Sequence, residues 1–233
     1  MSFLSGTDKS VCCATLCCFA ALSLQAAGAK PEAPLPIIEV PATQGTSDTL
    51  VVLVSGDGGW AAIDKAIAKA LATKGMPVAG LNALQYFWTK RTPEQASRDL
   101  EIIVERYTER WKMSRVVFIG YSRGADVLPA MINRLPEATK ARIRLIALLG
   151  PSPKVQFEFH MADWLRDPAS GELVKPEVDK LRGQKILCLW GEDDKDSLCS
   201  GLAGEGISVV TLKGSHHFDG GYERLAGIIL EHM

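Results

Sequence analysis

The sequence predicts an α/β protein with a mostly parallel central sheet and helices on both faces. Two observations predict it. From residue 49 onward, short runs of β-branched and other apolar residues alternate with longer segments of helical periodicity. The short runs are apolar throughout instead of alternating with polar residues, as in strands buried on both faces.

Residues 1–29 stand apart. A short polar start with one lysine leads into the apolar run Val11 to Leu24, which ends in Ala27-Gly28-Ala29. This is the layout of a secretory signal peptide with an A-x-A cleavage site. The run is shorter than the roughly 20 residues of a membrane-spanning helix. Residues 30–47, rich in Pro and small polar residues, read as a linker with a short edge strand at Ile37 to Val40. The remaining residues, 48–233, form one domain.

Within that domain Thr49 to Val54 is the first buried strand, and Trp60 to Lys74 a helix closed by Gly75. Met76 to Leu81 is the next strand. A long helix opens at Thr92-Pro93, with Thr92 as N-cap and Pro93 at the first helical position, and runs to about Trp111. Arg115 to Gly120 is a strand that passes directly into a helix from Ser122 to about Arg134. Strands follow at Arg144–Leu149, Lys185–Trp190 and Ile207–Leu212, then a final helix at Tyr222–His232. In such sheets the reactive groups gather at the carboxyl ends of the strands.

Composition narrows the function classes. With 47% hydrophobic and 23% charged residues the chain can bury a full core. A formal net charge of −1 leaves no basic surplus for a phosphate backbone, so nucleic acid is not an expected partner. Metal-ligand spacings of the CxxC or HExxH type are absent, and no metal or cofactor is expected. Removing residues 1–29 leaves two cysteines, Cys188 and Cys199. In an exported chain these are expected to pair; two reduced thiols are the alternative.

The chemistry-bearing signal is Gly120-Tyr121-Ser122-Arg123-Gly124, a G-x-S-x-G between a strand and a helix. That context fits the nucleophile elbow of an α/β-hydrolase, with Ser122 as nucleophile. A serine needs a base, and the chain order Ser…Asp…His directs attention to His216 and His217 after the last strand. His217, directly before Phe218, is the preferred base, with His216 orienting the loop or touching substrate. His160 lies in an aromatic stretch that reads as a lid. The acid should follow the fifth strong strand, in Gly191-Glu-Asp-Asp-Lys-Asp196. Asp194 is the first choice, with Asp196, Asp193 and Glu192 behind it. The oxyanion hole requires two N–H groups: one from Arg123, the other from Asp57 or Gly58 in Ser55-Gly-Asp-Gly-Gly-Trp60. The Asp57 carboxylate would also suit a cationic substrate group. Tyr86 and Trp88, just past a strand end, are expected either to line an apolar substrate mouth or to pack under the next helix.

Taken together, Leu53-Val-Ser-Gly-Asp-Gly-Gly-Trp60, Tyr86-Phe-Trp-Thr-Lys-Arg-Thr-Pro-Glu-Gln95, Gly120-Tyr-Ser-Arg-Gly-Ala-Asp-Val-Leu-Pro129, Gly191-Glu-Asp-Asp-Lys-Asp-Ser-Leu-Cys199 and His216-His-Phe-Asp219 resemble the VirJ/AcvB family of bacterial virulence-associated proteins. The resemblance covers about residues 35–231. It implies a periplasmic α/β-hydrolase. AcvB-type members hydrolyse the aminoacyl ester of lysyl-phosphatidylglycerol, and VirJ-type members are linked to type IV secretion. The single catalytic-type domain resembles the short VirJ type. The expected partners are therefore an aminoacylated phospholipid at a membrane surface and type IV secretion components. The competing expectations are a broad esterase or thioesterase and a non-catalytic periplasmic adaptor.

Overall fold

The computed structural model describes residues 34–158, 171–202 and 204–233. The expected signal peptide and His160 lie outside them. Leu35–Met233 form one compact unit. In chain order it contains β1 (Ile37–Val40), β2 (Thr49–Val54), α1 (Ala62–Ala72), β3 (Val78–Leu81), α2 (Ala83–Tyr86), α3 (Pro93–Trp111), β4 (Arg115–Tyr121), α4 (Arg123–Asn133), α5 (Glu137–Lys140), β5 (Ile143–Leu149), β6 (Lys154–Val155), β7 (Glu172–Leu173), α6 (Val174–Lys180), β8 (Ile186–Gly191), β9 (Ile207–Leu212) and α7 (Tyr222–Glu231).

The main sheet has the order β1-β3-β2-β4-β5-β8-β9. Every pairing is parallel except β1 with β3, where Ile37 faces Leu81 and Val40 faces Val78. That antiparallel edge strand, expected at Ile37 to Val40, belongs to the same compact unit as residues 48–233. The segment looked like a linker because prolines and small polar residues flank a strand of only four residues. A small ribbon pairs β6 with β7.

All six residues of β2 are buried, as a strand covered on both faces must be. One core, on the face that includes Leu100, Phe118, Leu128 and Val178, lies beneath α3, α4 and α6. The other, on the face that includes Ile67, Ile119, Leu145 and Leu225, lies beneath α1 and α7. Helix α3 starts where the sequence sets it: Gln95 N–H donates to Thr92 Oγ1 at 3.2 Å and Thr92 N–H donates to Gln95 Oε1 at 2.9 Å. This reciprocal pairing satisfies two of the helix's orphan donors. The parallel arrangement brings the carboxyl ends of β2, β4, β5, β8 and β9 to one edge, where the loops carrying the chemistry begin.

Candidate active site

Ser122 sits between the end of β4 and the start of α4 with φ 52° and ψ −121°. A non-glycine residue at positive φ is strained, and such strain persists where the surroundings over-determine it. Here they do. A Cβ on Gly120 would lie 2.5 Å from the Gly124 carbonyl, and one on Gly124 would lie 2.0 Å from Val54 O. Only glycines let the corner fold this tightly. Ser122 N–H donates to Leu149 O at 2.9 Å, and Ser122 O accepts from Asp126 N–H at 3.1 Å, so the backbone of Ser122 is tied to β5 and to its own helix.

The acid loop follows β8. Asp194 N–H donates to Gly191 O at 2.9 Å and Asp193 N–H to Gly214 O at 3.0 Å. Gly191 lies so close to the histidine loop that a Cβ there would meet Gly214 O and Ser215 O at 2.3 Å. Cys188 and Cys199 are joined in a disulfide, with Cα atoms 5.6 Å apart, as the sequence predicts. The bond connects β8 to the 3-10 turn Leu198–Gly201 and so closes the chain around Asp194. Leu198 N–H in that turn donates to Pro151 O at 2.7 Å.

The histidine loop departs from the sequence expectation. His216, not His217, meets the acid: its Nδ1 lies 2.7 Å from Asp194 Oδ2. His217 turns elsewhere, with its Nδ1 2.7 Å from the hydroxyl of Tyr121. Successive residues in a tight loop point in different directions, so only one of two adjacent histidines can face the acid. The His216 ring packs on Gly150, where an added Cβ would stand 2.9 Å from its Cε1. Gly150 directly follows Leu149, the acceptor of the Ser122 N–H, so the Ser122 backbone and the His216 ring are both held at the end of β5. Asp194 holding Nδ1 leaves Nε2 as the nitrogen available for chemistry. Of the four acids after β8, Asp194 is the one bonded to a histidine.

The Ser55–Trp60 loop lies against Ser122. A Cβ on Gly56 would lie 3.2 Å from the Ser122 Cβ, and the loop closes on itself through Gly59 N–H to Gly56 O at 3.0 Å. Arg123 is the first residue of α4, so its N–H has no intrahelical partner. Asp57, expected to suit a cationic group, is already paired with one: the Arg123 guanidinium donates from Nε to Asp57 Oδ1. Arg123 Nη1 also donates to Gln156 O at 2.7 Å and Glu158 O at 3.3 Å. Asp57 therefore enters the site with its charge already compensated. Asp126 is equally committed: it is buried, and its Oδ1 accepts from Ser152 N–H at 2.6 Å. Burial pushes its carboxyl well above the ordinary range.

Tyr86 is not a mouth residue. It is 2% exposed, its hydroxyl donates to Asp99 Oδ2 at 2.5 Å, and its ring meets Phe87 edge-on. A buried tyrosine needs a partner for its hydroxyl, and α3 supplies one. Trp88 is the exposed member of the aromatic run, at 60%. Sequence reasoning missed Tyr121 and the Arg123 side chain. Both occupy the variable positions of G-x-S-x-G, which the motif itself does not constrain.

The family description "Bacterial virulence protein (VirJ)" matches residues 48–233. The chain belongs to the VirJ family. No curated protein matches the sequence of this VirJ-family chain. Among solved structures it is similar to Est1E from Butyrivibrio proteoclasticus, with 13% identity and a TM-score of 0.60 over 84% of this chain and 93% of that one. It is also similar to the Pyrococcus furiosus esterase Pf2001, with 14% identity and a TM-score of 0.59 over 85% and 91%. A third similarity is to an alpha-beta serine hydrolase homologue from Coxiella burnetii, with 14% identity and a TM-score of 0.57 over 84% and 90%. The fold of the VirJ-family domain is that of the α/β-hydrolases.

Proposed function

We propose that this VirJ-family protein is a periplasmic serine hydrolase of carboxylic esters, with Ser122 as nucleophile, His216 as base and Asp194 as the acid behind it. The observation that carries the reading is the 2.7 Å contact between His216 Nδ1 and Asp194 Oδ2 at the strand edge that also bears the strained Ser122. In this mechanism His216 Nε2 takes the Ser122 proton as Oγ attacks the ester carbonyl. The tetrahedral oxyanion is held by the Arg123 N–H and an N–H of the Asp57–Gly58 turn. His216 then returns the proton to the leaving alkoxide, and water repeats the cycle on the acyl-enzyme. The carboxylate of Asp194 fixes the imidazole's tautomer and stabilises its protonated form.

The substrate class we propose is an aminoacylated phospholipid of the lysyl-phosphatidylglycerol kind, as the family resemblance implies. With Asp57 paired to Arg123, selection for a lysyl ammonium does not rest on a free Asp57 carboxylate. The test is incubation of the purified mature chain with vesicles containing lysyl- or alanyl-phosphatidylglycerol, measuring released amino acid. Release that disappears in Ser122→Ala, with the fold intact, is the expected result. Equal release from the two proteins would refute Ser122 as nucleophile, and release from neither would favour a binding role.

A further inference from the structure

Residues 214–221 form an unusually costly loop. Gly214, Phe218, Asp219 and Gly220 all have positive φ, at 99°, 54°, 49° and 77°. For the non-glycines, Phe218 and Asp219, this is a conformation L-residues disfavour by roughly 1–2 kcal/mol each. Strained backbone of this kind holds one shape only when something outside it enforces that shape. The shape matters because the loop carries two adjacent histidines, and a small backbone rotation would exchange the one that faces Asp194.

Phe218 is itself buried in the core, and a further outside constraint comes from Tyr121, the neighbour of Ser122. Tyr121 is the last residue of β4, 6% exposed, and is held in the sheet by its pairing with Leu149. Its ring centroid lies 5.6 Å from that of His216 and 6.5 Å from that of His217, so the phenol stands beside both imidazoles. It hydrogen-bonds only one of them, His217, through Nδ1 at 2.7 Å. Burial holds the phenol above its ordinary acidity range, reinforced by Tyr222, Asp64 and Asp194, so the hydroxyl keeps its proton. His217 itself is exposed. Its side chain fills no core position, and the bond to Tyr121 fastens it to the rigid sheet.

We propose that Tyr121 and His217 are a positioning pair: their hydrogen bond locks the loop so that His216, and not its neighbour, stands against Asp194. This rests on the reading of His216 as base. Neither residue touches the reacting atoms; both act through the orientation of His216.

The experiment measures kcat and KM for p-nitrophenyl butyrate in Tyr121→Phe, His217→Ala, His217→Asn, the Tyr121→Phe/His217→Ala double variant and His216→Ala, with thermal melts to verify folding. Tyr121→Phe and His217→Ala should each lower kcat roughly tenfold, the worth of about one net hydrogen bond, with KM changed less than about twofold. The double variant should be no slower than His217→Ala, since both remove one bond. His217→Asn should recover most of the rate, because an asparagine amide stands where Nδ1 stands. A general packing defect would not be rescued in that way. Wild-type kcat in Tyr121→Phe and His217→Ala, beside an inactive His216→Ala, would overturn the positioning pair and leave the base assignment standing. A His217→Asn as slow as His217→Ala would also overturn it. An active His216→Ala beside an inactive His217→Ala would overturn both.

Discussion

The nucleophile corner and the histidine loop meet at one edge of the sheet, yet they are specified in different ways. At the corner, backbone atoms press so closely on Gly120 and Gly124 that no other residue fits. The sequence therefore advertises the geometry. In the histidine loop Gly220 has no atom within 4 Å of where a Cβ would be, and it is required only for its φ of 77°. The loop's shape is imposed instead by contacts from elsewhere: Tyr121 on His217, Asp194 on His216, and Gly191 packed beneath Gly214 and Ser215. Steric necessity leaves a local signature in the chain; a tie to a distant strand does not.

Four substitutions sharpen that contrast. Gly124→Ala forces a Cβ to 2.0 Å from Val54 O. It should cost more than about 4 kcal/mol, or prevent folding, in urea denaturation. Breaking the bond that closes the acid loop comes next. Cys188 and Cys199 are 11 residues apart, and the double Ser variant should lose roughly 3 kcal/mol of unfolding free energy, the chain-entropy value for so short a loop. A parallel fall in kcat is expected, since Asp194 lies inside the closed segment.

The third substitution is in the first turn of α1. Asp64 on α1 is 1% exposed; its Oδ2 accepts from Ala61 N–H at 2.9 Å and its Oδ1 has no partner among the described residues. Burial pushes its carboxyl up to about 6. The native state thus holds a proton that the unfolded chain releases at about pH 3.9. The stability this confers is complete below about pH 4 and is lost as pH rises through 6. Asp64→Asn is neutral throughout, so its stability relative to wild type should climb by about 2–3 kcal/mol between pH 4 and 7 in paired urea titrations. A flat difference would show that Asp64 does not titrate in that range. Smallest of the four, Gly220→Ala should cost only about 1–2 kcal/mol, the backbone term alone. If it were as damaging as Gly124→Ala, the distinction between the two regions would fail.

The same contrast explains what could be read from the chain. The apolar run Thr49–Val54 is the observed strand to the residue, because burial on both faces leaves no other composition. The Thr92 cap and the serine corner were legible for similarly local reasons. Strand β1 was expected at its observed bounds, Ile37–Val40, but its antiparallel pairing with β3, some 40 residues on, has no local signature. Segments as short as α2, β6 and β7 carry too few residues to show a period. Within the site Asp194 was readable from its spacing after Gly191. The choice between His216 and His217 was not, because their order along the chain is equally good for either. Tyr86 was left open for a related reason: an aromatic after a strand end looks the same whether it faces solvent or, as here, reaches Asp99 on α3.

The claim most open to direct test is that Ser122 is activated through His216. Fluorophosphonate labelling followed by peptide mass spectrometry reads it out. A single adduct on Ser122 is expected, formed at least about a thousandfold more slowly in His216→Ala and within roughly an order of magnitude of wild type in His217→Ala. An adduct on another residue, or labelling of Ser122 that survives loss of His216 but not of His217, would contradict it.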